Sequence, residues 1–93
     1  MHIDGYIAVV AHTTVVDPEP EAPVTGKAAD VVVATHTAAS VAARMIKAGN
    51  TNTQVTAALK RVADAYGVNM VQGTLSHQMK QCVRARAHGA VAW

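Results

Sequence analysis

The apolar positions of this 93-residue chain fall into four runs with different spacing. From Gly5 to Val16 the run GYIAVVAHTTVV is rich in β-branched residues, which predicts one continuous β-strand. Successive strand side chains point to opposite faces. Ile7, Val9, Ala11, Thr13 and Val15 then share one face, and Tyr6, Ala8, Val10, His12 and Thr14 the other. Asp4-Gly5, just ahead, is a hairpin-turn signal. Only Met1 to Ile3 precede it, so the chain reads as starting with half a hairpin missing, a short edge turn being the alternative.

The stretch DPEPEAPVTG, Asp17 to Gly26, holds all three prolines and predicts a loop, because proline removes a donor and restricts the residue before it. Lys27 to Ala48 contains neither Gly nor Pro. Its apolar positions Val31, Val32, Ala38, Ala39, Ala42, Met45 and Ile46, with Lys47 and Gly49 at the end, predict a helix. His36 sits mid-helix and reads as a packing residue. Thr53 to Tyr66 gives a cleaner stripe of Val55, Ala58, Leu59, Val62, Ala63 and Tyr66, the i, i+3, i+4, i+7 pattern of a helix. Asn52 or Thr51 can cap its start and Gly67 can end it. Lys60, Arg61 and Asp64 occupy the solvated side. Val68 to Gln78 reads as an irregular strand interrupted by Gly73. The tail from Val83 to Trp93 keeps no period; it gives weak support to a helix and none to a strand.

The order is strand pair, two helices, further strand: an α+β unit, read as one domain over residues 1–93. Apolar residues make up 51% of the chain, with no Phe and most of the mass in Ala and Val. Small side chains each remove little area from water, at about 25 cal/mol per Å². A thin core follows, which favours a partner or a larger parent fold. Eight Lys and Arg against six Asp and Glu give a formal charge of +2, too mild for a dedicated nucleic-acid binder. Cys82 is the single cysteine, so no internal disulfide forms and a reducing, intracellular setting is expected. No signal-peptide pattern and no run near the ~20 apolar residues of a membrane span occurs. The chain is expected in the cytoplasm or nucleus.

Catalysis needs convergent groups. His12 has no carboxylate on either face between Gly5 and Val16, so a metal role for it is not expected. Cys82 with His77 or His88 has the residue types of a thiol nucleophile and base, but no nearby acid orients either histidine. A buried or incidental cysteine is the reading preferred. Phosphate-binding glycine motifs are absent, and RARAH lacks interleaved aromatics for base stacking. No cofactor is implied.

Taken together, HIDGYIAVVAHTTVVD, VTGKAADVVVATH, AGNTNTQVTAALKRVADAYG and GTLSHQMKQ resemble, in order and spacing, the proliferation-associated, ErbB-receptor-binding protein family. The resemblance runs from His2 to about Gln81 and leaves residues 82–93 as a divergent tail. It implies part of the pita-bread fold of methionine aminopeptidases, carried by non-peptidase relatives that bind RNA, ribosomes and other proteins and influence growth, translation and transcription. In active aminopeptidases the position of Val9 holds an aspartate metal ligand, which valine cannot replace. His12, on the other face by parity, does not substitute for it. Only His77 matches a ligand position. Active enzymes flank that histidine with glycines, where this chain has Ser76 and Lys80, so His77 looks vestigial.

The chain is shorter than the family's proteins and lacks the lysine-rich tail they use on nucleic acid. The leading expectation is therefore a non-catalytic binding module for RNA, ribosomes or proteins, cytoplasmic and nuclear, with no membrane contact. A metallo-aminopeptidase-like hydrolase fragment and a plain helical interaction fragment are the alternatives. Self-association through the strand from Tyr6 to Val16 is also expected, because a Val-rich strand without a neighbour presents unpaired backbone groups.

Overall fold

The computed structural model describes residues 1–16, 19, 21–74 and 77–86. Its elements run β1 (His2–Ile3), β2 (Tyr6–Ile7), α1 (Gly26–Met45), α2 (Asn52–Ala65), β3 (His77–Lys80) and β4 (Val83–Arg86). β1 pairs antiparallel with β2, and β3 with β4. The α+β expectation holds, with a second hairpin where a single further strand was expected.

The Asp4-Gly5 turn does close a hairpin. His2 lies opposite Ile7 and Ile3 opposite Tyr6, and the Ala8 amide donates to the Met1 carbonyl at 3.0 Å. Both turn residues have positive φ, 49° at Asp4 and 80° at Gly5, the signature of the type I′ turn that suits strand twist. The alternative reading, a short edge turn, is the one the described residues form, with His2 and Ile3 as the partner strand.

The long opening strand is a second correction. Regular pairing stops at Ile7, and residues 8–16 are irregular and exposed. Propensity for a strand is a preference for a pleated, half-buried surface, not an intrinsic backbone state. β1 is too short to supply a neighbour beyond Ala8. The parity argument therefore fails for this segment, and Val9 is 70% exposed.

The helices fold close to their predicted bounds. α1 begins at Gly26 and stops at Met45, earlier than Ala48. Its end is fixed by Asn50, whose Nδ2 donates to the Met45 carbonyl at 2.8 Å, while Gly49 turns the chain at φ 89°. Thr51 caps α2: the Gln54 amide donates to Thr51 Oγ1 at 3.4 Å and the Thr51 amide donates to Gln54 Oε1 at 3.0 Å. This reciprocal pair satisfies two donors that a helix start leaves open. At the other end, the Val68 amide reaches the Ala63 carbonyl at 3.0 Å and the Gly67 amide the Asp64 carbonyl at 3.2 Å. With Gly67 at φ 63°, these are the two bonds of a Schellman ending.

The core lies between the helices. Among the described residues the buried apolar side chains are Ala34, Val55, Ala58 and Ala63. Three of them belong to the predicted α2 stripe, so that stripe packs on α1. Thr37 Oγ1 and Tyr66 OH, 3.5 Å apart, add a polar link between the helices. Lys60 and Asp64 form an exposed pair at 3.4 Å on the far side of α2, worth little in water.

The tail differs most from expectation. Val83–Arg86 is a strand, with Lys80 opposite Val83 and His77 opposite Arg86. Pairing with β3 supplies what the sequence pattern alone does not show. Residues 87–93, His88 and Trp93 among them, lie outside the described residues, as does Ser76.

Candidate functional site

The two hairpins meet at their turns, and of the residues singled out from the sequence this junction holds Cys82. The Cys82 amide donates to the Gly5 carbonyl at 2.7 Å. Gln81 Nε2 donates to the Asp4 carbonyl at 2.8 Å. β2 packs beside β3, so the segment leading to Val9 leaves the junction next to the strand that begins at His77. A Cβ on Gly5 would collide with Cys82 Sγ; only glycine admits that approach.

The predicted site residues distribute unevenly around this junction. His77 is half-buried at the start of β3. Val9 and His12 are exposed in residues 8–16, and His36 is exposed on α1. Cys82 is exposed as well, so the buried-cysteine alternative does not hold. Its backbone carries φ 57°, a region that L-residues other than Gly, Asn and Asp seldom visit. Among the described residues no group of three or more His, Cys, Asp or Glu side chains is placed to hold a metal ion. No described helix is long and apolar enough to cross a membrane.

A second feature was not foreseen. An open groove of about 800 Å³ runs between α1, α2 and residues 68–74. Ala34, Leu59 and Val62 line it, Val31, Met70 and Val71 stand exposed along it, and Lys27 and Asp30 mark one end. Its signal in the sequence was the irregular segment after Gly67, where Val68, Met70 and Val71 follow a helix end without the alternation of a strand.

Comparison with known proteins identifies the sequence type. The chain is 57% identical over 82 residues to "ERBB-3 BINDING PROTEIN 1" of Solanum tuberosum, a match that covers 88% of this chain and 20% of that protein. It is 45% identical over 82 residues to "Proliferation-associated protein A" of Dictyostelium discoideum, covering 88% of this chain and 21% of that protein. The sequence belongs to the proliferation-associated, ErbB-receptor-binding family. A more distant relative is "Probable metalloprotease arx1" of Schizosaccharomyces pombe, 34% identical over 68 residues, covering 69% of this chain and 16% of that protein. The chain spans about a fifth of the length of the curated relatives it matches most strongly. No family model matches the chain, and no solved structure matches it.

The more similar relatives are named for binding or for proliferation, the distant one for proteolysis. His77 and the segment carrying Val9 come from different hairpins that the Gly5–Cys82 contact holds together. Sequence reasoning missed this contact, because nothing in KQCV announces a turn.

Proposed function

We propose that this chain is a non-catalytic binding segment with the aminopeptidase-like, pita-bread type of fold. Its partners are proteins, with RNA or the ribosome as further ones, in growth and translation control in the cytoplasm and nucleus. The observation that carries this reading is the match, across 88% of the chain, to a relative named as a binding protein. Val9 supports it from the chemical side: at a position where the resemblance calls for a carboxylate, its side chain has no atom able to coordinate a cation. The aminopeptidase-like fold is supported by the arx1 likeness and by the α+β order of elements.

The hydrolase reading is kept in view by one observation, the name of that same distant relative. The two readings separate in a paired experiment on the 93-residue chain. Fluorescence anisotropy with labelled ribosomal RNA fragments, in a salt series, is expected to show saturable binding that weakens as salt rises. Calorimetric titration with cobalt or zinc is expected to show no stoichiometric uptake. Stoichiometric uptake lost in His77→Ala, together with cleavage of a methionyl peptide, would replace the binding reading with the hydrolase one. Absence of RNA binding, with protein partners still captured, would confine the proposal to protein recognition.

A further inference from the structure

We draw no further inference here: the strongest candidate, the open apolar groove between α1, α2 and residues 68–74, is an unpartnered face, and nothing in the structure shows what covers it.

Discussion

Asp4, Gly5 and Cys82 all hold positive φ, at 49°, 80° and 57°, and they form the contact between the two hairpins. Two of the three were legible. Asp-Gly is the residue pair that a tight hairpin asks for, because both central positions of its turn need the left-handed region. Cys82 was not legible, since a cysteine there costs about 1–2 kcal/mol relative to an ordinary conformation and no sequence rule favours it. The bond from the Cys82 amide to the Gly5 carbonyl, at 2.7 Å, exists only once both turns are formed and offsets part of that cost. Gly5→Ala should therefore be disproportionately harmful. It forces an alanine to φ 80° and drives its Cβ into Cys82 Sγ. A loss of about 1–2 kcal/mol from backbone strain alone is expected, read as a lower denaturation midpoint by hydrogen exchange of the Cys82 amide. Cys82→Gly should leave that amide as protected as before, because glycine accepts φ 57° without strain. Equal effects of the two substitutions would show that the turns do not depend on each other.

At the scale of elements, local signals and partner-dependent signals separate cleanly. α2 was readable because everything that fixes it is local: the apolar stripe, Thr51 and Gln54 three residues apart, and Gly67 just past the end. Removing the cap in Thr51→Ala should lower stability by about 1 kcal/mol, measured as a shift in the thermal loss of helical circular dichroism. Leu59 is half-buried on the groove side, so Leu59→Ala should cost about 2 kcal/mol, the low end of the range for core leucines. An unshifted midpoint would place Leu59 outside the helix contact. The two β regions were readable in opposite, and wrong, directions. Residues 8–16 have strand composition and no neighbour, whereas Val83–Arg86 has a poor pattern and a neighbour in β3. A strand is completed by what lies beside it, and a one-dimensional pattern does not contain that. The same rule holds for the junction of the two hairpins: the bond that ties them, from Gln81 to Asp4, joins residues 77 apart in sequence.

The whole molecule is short of core. Among the described residues its buried apolar side chains are Ala34, Val55, Ala58 and Ala63, three of them alanines. Its packing divides in two. α1 packs on α2, and the hairpins pack on each other through β2 and β3, while no described helix packs on a described strand. The chain that joins them through residues 8–16 carries no backbone hydrogen bond of its own beyond Ala8. Two small units with separate cores have no reason to unfold together, because cooperativity requires that losing one contact weakens the rest. Native-state hydrogen exchange in a denaturant series should therefore resolve two opening free energies. Amides in the middle of α2, such as those of Leu59 and Val62, should form one group. Those of Ala8 and Cys82, which bridge the hairpin strands and turns, should form another with lower protection. Leu59→Ala should then lower protection in α2 and leave Ala8 and Cys82 unchanged, since no described helix packs on a described strand. If all these amides instead converge on one isotherm and respond together to Leu59→Ala, the helices and hairpins form a single cooperative body, and the division seen in the packing does not govern its stability.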